Sequence, residues 1–112
     1  MKNILIQITQ NGMGNGSEEL GQVLIKNYLN LISEESNLPR FITLYNGGVK
    51  LICEDSPVIE IFQQIEAEGV KLIACKTCLN YYNSIDKVKV GTTGTMMDII
   101  NLQKMADKVI NL

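Results

Sequence analysis

The chain has 112 residues, 46% of them hydrophobic and 20% charged, the make-up of one globular domain that can bury a core without disulfide staples. A formal charge of -2 provides no basic field for nucleic acid or anionic membrane, and no apolar run approaches the roughly 20 residues that span a bilayer. Histidine is absent and cysteine occurs three times, which excludes Ser-His and Cys-His hydrolases, His-containing metal sites and a secreted disulfide framework.

The N-terminal residues lack a long apolar segment and a small-residue cleavage site, so the expected compartment is the cytoplasm. Residues Asn3 to Thr9 read as a first strand, apolar on both faces through Ile4, Leu5, Ile6 and Ile8, as in a central parallel strand. Three alternating glycines, Gly12, Gly14 and Gly16, break it. Asn15 or Ser17 then caps a helix whose first turn carries Glu18 and Glu19, and whose apolar residues (Leu20, Val23, Leu24, Tyr28, Leu31, Ile32) recur at helical spacing to about residues 33–35. Phe41 to Tyr45 is a second strand, ended by Asn46-Gly47-Gly48, with Val49 to Cys53 as a loop or short apolar insertion.

Asp55-Ser56-Pro57 predicts a helix start with Pro57 in the first helical position, a buried stripe of Val58, Ile59, Ile61, Phe62 and Ile65, and a stop at Gly69. Val70 to Ala74 is the third strand, running into Cys75-Lys76-Thr77-Cys78 and a short helix through about Tyr82. Val88 to Val90 reads as a fourth strand ending at Gly91. Thr92 to Thr95 then leads into a helix with Met96, Met97, Ile99, Ile100 and Met105 at its apolar positions, and Val109-Ile110 closes as an edge strand.

The alternation predicts one domain over residues 1–112: an α/β fold of three layers, helices on both sides of a mostly parallel sheet of about five strands, flavodoxin-like in appearance. Sites in such sheets lie beyond the carboxyl ends of the strands. The glycine loop, Asn46 to Gly48, the cysteine pair and Gly91 to Thr95 are all expected on that edge.

The Cys75/Cys78 pair has four readings. A thioredoxin-type couple usually has a proline opposite the thiols, but Pro39 and Pro57 both precede the motif. A zinc site needs four ligands, and Cys53 is the only other thiol. A sulfur carrier needs one accessible thiolate with a neighbour to protect or release its cargo, and a helix N-terminus after a strand lowers a thiol pKa. The plain alternative is two small apolar fillers. Gly12 and Gly14 can present backbone N–H groups to an anion, although a tight strand-to-helix turn needs glycine anyway. Asn46, Gly47 and Lys50 place a glycine turn beside a cation, and Lys76 and Thr77 lie between the thiols as further anion-binding candidates. A surface turn explains Asn46 to Lys50 more simply, and helix capping explains Thr93 or Thr95. The methionines read as core or as a soft contact surface for another subunit. Tyr81 and Tyr82 divide between packing and facing a partner, and Cys53 reads as structural.

Several stretches together resemble one family. They are Gly12-Met13-Gly14 before Glu19-Leu20-Gly21, Leu44-Tyr45-Asn46-Gly47-Gly48-Val49-Lys50-Leu51, Gly69-Val70, Ala74-Cys75-Lys76-Thr77-Cys78-Leu79-Asn80-Tyr81-Tyr82, Val90-Gly91-Thr92 and Ala106-Asp107-Lys108-Val109-Ile110. In order and extent the chain is similar to the DsrE-like sulfur-relay family, most of all to the DsrE-like domain of the YedF-type selenium-metabolism proteins. The resemblance implies a parallel α/β fold, homo- or hetero-oligomers, and a cysteine that carries sulfur as a persulfide between donor and acceptor proteins, a TusA-like protein among the candidates. It implies no cofactor. The family's accepting cysteine ends a strand and starts a helix, which matches Cys75, and Cys78 matches the second cysteine of the YedF subgroup. Lys76 stands where that subgroup commonly has glycine, adding a cation beside the thiol. The subgroup also commonly carries an N-terminal TusA-like domain, which these 112 residues do not include. The expected function is a sulfurtransferase-like carrier of sulfur or selenium, with Cys75 as acceptor; the alternative is a non-catalytic binding or assembly subunit with structural or regulatory thiols.

Overall fold

The computed structural model describes residues 2–112, and the alternation of strand and helix runs through all of them. The elements are β1 (Lys2–Ile8), α1 (Glu18–Ser33), β2 (Pro39–Leu44), a 3-10 helix (Asn46–Ile52), α2 (Ile59–Ala67), β3 (Lys71–Cys75), α3 (Lys76–Tyr81), β4 (Thr92–Gly94), α4 (Met96–Met105) and β5 (Lys108–Asn111). The five strands form one sheet in the order β4-β3-β2-β1-β5, and every neighbouring pair is parallel.

That order follows from short crossovers. Each step from β1 to β4 moves one place in the same direction, so right-handed connections put α1, α2 and α3 on one face. The step from β4 to β5 reverses past β1 and puts α4 on the other. Side chains alternate between the faces. Ile6 and Ile8 stand in register with Ile42 and Leu44, which stand in register with Leu72 and Ala74. This layer packs with Ile25 and Leu29 of α1 and Phe62 and Ile65 of α2 in the main core. On the opposite face Gln7 of β1 accepts a hydrogen bond from the Gln103 carboxamide of α4 at 2.6 Å, tying the lone helix to the sheet.

The termini of the helices follow local chemistry. Ser17 caps α1 by accepting the Leu20 N–H, and Glu18 and Glu19 lie in its first turn. Thr95 and Asp98 form a reciprocal capping box at the start of α4.

Five expectations are corrected. The buried positions of α1 are Gly21, Ile25 and Leu29, whereas Leu20, Val23, Leu24 and Leu31 are exposed. The helix carries apolar residues on more than one side, so periodicity alone did not set its phase. The loop reading of Val49 to Cys53 gives way to the apolar insertion: Asn46–Ile52 is a 3-10 helix with Val49, Leu51 and Ile52 fully buried. Pro57 is not the first helical residue. Asp55 takes a left-handed φ of 72°, the Ser56 hydroxyl accepts the Val58 N–H, and α2 begins at Ile59.

The fourth strand lies later than expected, at Thr92–Gly94. Val88 makes only an isolated antiparallel bridge to Cys53, and the Lys89 N–H donates to the Ile52 carbonyl, so this stretch pairs with the end of the 3-10 helix. Gly91 then turns the chain at φ 80°, its N–H held by the Glu66 carboxylate at 2.9 Å, and only the next residues join β3. In α4, Met96, Met97 and Met105 are exposed, and Ile99 alone is fully buried. The core reading of the methionines fails, since all three lie on the surface.

Candidate functional site

All strands point the same way, so the loops after β1, β2 and β3 meet at one edge. Of the stretch Gly91 to Thr95, only Thr95 lies beyond a carboxyl end, because Thr92, Thr93 and Gly94 form β4 itself. Cys75 is the last residue of β3 and the N-cap of α3, and Cys78 lies in the first turn of that helix. Cys75 is 2% exposed and belongs to the main core, while Cys78 is half-buried. The two thiols are one helical turn apart, near enough for Cys75 to bear on the titration of Cys78.

Cys78 has a second neighbour. Asn46, just beyond β2, takes a left-handed φ of 51°, a conformation asparagine tolerates better than most residues. Its main-chain N–H donates to the Cys78 sulfur at 3.1 Å. Its side-chain oxygen accepts the Tyr82 hydroxyl at 3.0 Å, and the Lys50 ammonium lies 4.4 Å from the centre of the Tyr82 ring. Such a cation over an aromatic face is worth about 0.5–2 kcal/mol depending on desolvation. One residue thus links the sulfur to a tyrosine and a lysine across two elements.

Asn46, Gly47, Lys50 and Tyr82 also line a cavity of about 400 Å³, closed on its other side by the β1–α1 loop with Gly12 and Gly14. Five of the expected anion-binding residues therefore share one cavity, whereas Cys75, Cys78, Lys76 and Thr77 are not among its lining residues. Lys76 and Thr77 are exposed on α3. The cavity is mixed in charge, since the Glu18 carboxylate enters it and accepts from the Asn11 side chain at 2.5 Å. Gly12 is there for packing: a Cβ at its φ of 156° would come within 2.6 Å of the Gly21 backbone in α1. The sequence does not decide whether Tyr82 packs inward or faces a partner. Only the adjacent asparagine at a strand end, in a position that favours a left-handed turn, hinted at this network.

Burial pushes the Cys78 pKa above its ordinary value of 9.0, the hydrogen bond with Cys75 pushes the same way, and the Asn46 N–H pulls it down. The net direction is up, opposite to the lowering expected from a helix start. The α3 helix has six residues, too few for a developed macrodipole to outweigh burial. A thiol with a raised pKa is protonated at neutral pH, and its thiolate fraction climbs only through the alkaline range. Alkylation of Cys78 by iodoacetamide, followed on its own peptide, is accordingly expected to keep accelerating beyond pH 9, and Cys75→Ala moves the curve to lower pH by removing one raising cause. A plateau below pH 9 in the wild type contradicts this. Cys53 is 5% exposed, its thiol donates to the Val49 carbonyl at 3.3 Å, and burial raises its pKa, in keeping with a structural residue.

No helix of the described residues is long and apolar enough to cross a membrane. The fold is similar to that of the ychN protein from E. coli, with a TM-score of 0.74, 21% identity and full coverage of both chains. It is similar as well to MTH1491 from Methanobacterium thermoautotrophicum, with a TM-score of 0.72, 18% identity and 97% of each chain covered. BT1422 from Bacteroides thetaiotaomicron matches with a TM-score of 0.69 and 15% identity over 98% of this chain and 95% of the other. No curated protein matches the chain significantly. A sequence model of the DsrE/DsrF-like family covers residues 4–112, which is nearly the whole fold and contains both thiols. The chain belongs to the DsrE/DsrF-like family, a family associated with sulfur relay.

Proposed function

We propose that this protein is a sulfurtransferase-like carrier of the YedF type, holding sulfur as a persulfide on the Cys75–Cys78 pair. The observation that supports it is the Cys78 sulfur, which receives the Asn46 N–H at the carboxyl edge of the sheet, one helical turn from the second thiol of Cys75. A thiolate of the pair attacks the outer sulfur of a donor persulfide, the donor S–S bond breaks, and the donor leaves as a thiolate. An acceptor thiolate repeats the step in the other direction. Selenium is the alternative cargo, since a selenium atom bound to sulfur undergoes the same displacement.

The partners are a sulfur-donor and a sulfur-acceptor protein, a TusA-like protein among them, and other copies of this chain, in the cytoplasm. The exposed Leu20, Val23, Leu24 and Leu31 of α1 and the exposed methionines of α4 support assembly, because large outward apolar residues grouped on a helix favour a protein contact. Free cysteines support a reducing compartment.

Incubation with glutathione persulfide, followed by intact mass measurement without reductant, tests the reading. The wild type is expected to gain one sulfur atom and to pass it to an added thiol. A Cys75→Ser/Cys78→Ser variant gaining the same adduct would sink the reading. The burial of Cys75 favours the rival, an assembly subunit with structural thiols, and that rival predicts no adduct on the wild type.

A further inference from the structure

We propose, on the reading that the pair carries sulfur, that Cys78 is the thiol that accepts it and that the buried Cys75 is the thiol that releases it. This reverses the roles expected from the position of Cys75 at the strand end. Displacement at sulfur needs the attacking atom to meet the donor S–S bond, and Cys75 is 2% exposed within the core. Cys78 is the more open of the two. It is also the one that receives the Asn46 N–H at 3.1 Å, a donor aimed at the charge of its thiolate.

That donor is held in place. Asn46 keeps its left-handed backbone while its side chain accepts from Tyr82, which in turn lies beneath Lys50. The N–H therefore meets the sulfur without reorganisation when charge develops there, as preorganised donors do at other reacting centres.

The loaded form has one sulfur more. The Cys78 thiolate attacks the outer sulfur of the donor R–S–SH, forming Cys78–S–SH and releasing R–S⁻. The inner sulfur of this persulfide is the former thiol sulfur, so it remains beside both Asn46 and Cys75. The Cys75 thiolate attacks that inner sulfur, a Cys75–Cys78 disulfide forms, and hydrosulfide leaves with the electron pair of the broken S–S bond. The two cysteines are oxidised by two electrons and the departing sulfur is reduced by two. Hydrosulfide is the conjugate base of a stronger acid than an alkyl thiol, and a weaker base leaves faster. The fate of the cargo is then a race between an external acceptor and Cys75. A loaded protein that meets no acceptor discharges itself as sulfide and stops as a disulfide.

The chain allows the two sulfurs to be separated without a variant. Trypsin cuts after Lys71, Lys76 and Lys87, placing Cys75 in the peptide 72–76, Cys78 in 77–87 and Cys53 in another. The protein is loaded with glutathione persulfide, trapped at once with iodoacetamide, digested and analysed by mass spectrometry. The extra sulfur is expected on peptide 77–87. On longer incubation before trapping, the wild type loses it, with one sulfide appearing per disulfide, whereas Cys75→Ala keeps its adduct and releases none. Cys78→Ser is expected to lose uptake altogether. Sulfur on peptide 72–76, or wild-type uptake by Cys78→Ser, overturns the assignment and leaves the carrier reading standing. Retention of the adduct by the wild type without sulfide overturns the releasing role. Absence of any adduct on the wild type, or an adduct on Cys53 alone, ends the carrier reading and this assignment with it.

Discussion

Gly48→Ala is expected to lower the free energy of unfolding by about 3 kcal/mol, the upper part of the range for overpacking a tight site. Gly48 is buried at the start of the 3-10 helix, where a Cβ would overlap the Ile8 carbonyl oxygen and lie 2.7 Å from the Ile8 carbonyl carbon. These are backbone atoms at the end of β1. They cannot turn aside as a side chain would, and the same Ile8 oxygen already accepts the Tyr45 N–H at 3.2 Å. The 3-10 helix must therefore shift away from the sheet. Asn46 lies two residues before Gly48 and Lys50 two after, so the shift also spoils the hydrogen bond to Cys78. Thermal unfolding is expected to move down by roughly 10–15 °C, and Cys78 alkylation in the folded protein is expected to change in rate. An unchanged midpoint shows that the close approach is relieved at no cost.

Phe62→Ala is expected to cost about 3–5 kcal/mol, as removal of a fully packed aromatic does elsewhere. Phe62 is 0% exposed and lies on α2 against the main core. The loss is a large share of the roughly 5–15 kcal/mol that holds a domain of this kind together. It differs from Gly48→Ala in where it acts. Phe62 has no part in the Asn46, Tyr82 and Lys50 network, so the molecules that remain folded are expected to alkylate at Cys78 at the wild-type rate. Urea denaturation gives the stability of both variants, and alkylation at low denaturant separates them. Equal alkylation changes in both would mean that the site responds to global loosening and that the 3-10 helix has no special hold on it.

The parallel sheet was legible because Ile4 to Ile8 and Val70 to Ala74 are apolar without strict alternation and are separated by helix-length segments. Ser17, Glu18 and Glu19 marked the start of α1, and Gly69 the end of α2, by chemistry that acts within one turn. The rest needed contacts between distant residues. Val88 to Val90 has a strand's composition, but Cys53 and Ile52 take up its hydrogen bonds before the sheet can. The outward position of Met96 and Met97 follows from α4 being alone on its face, which depends on the reversal in strand order. Cys75 was correctly placed at a strand end, yet its burial depends on what packs over that end. The Asn46 N–H on the Cys78 sulfur joins residues 32 apart in sequence, and main-chain donors leave no trace in residue types.

The reversal in strand order also bears on how the chain is assembled. β1 lies between β2 and β5, so β1 is flanked on one side by a strand made about a hundred residues later. The Asn3 side chain clasps the Met105 carbonyl at 2.8 Å, and the Asp107 N–H donates to the Asn3 carbonyl at 3.0 Å, fastening β1 to the segment that leads into β5. Until β5 has been synthesised, one edge of β1 presents unpaired peptide groups between two apolar faces. Closing a contact of such long sequence separation comes late and slowly in folding. A growing chain on the ribosome therefore carries an open strand edge until β5 emerges, the kind of surface that chaperones cover and that aggregation exploits.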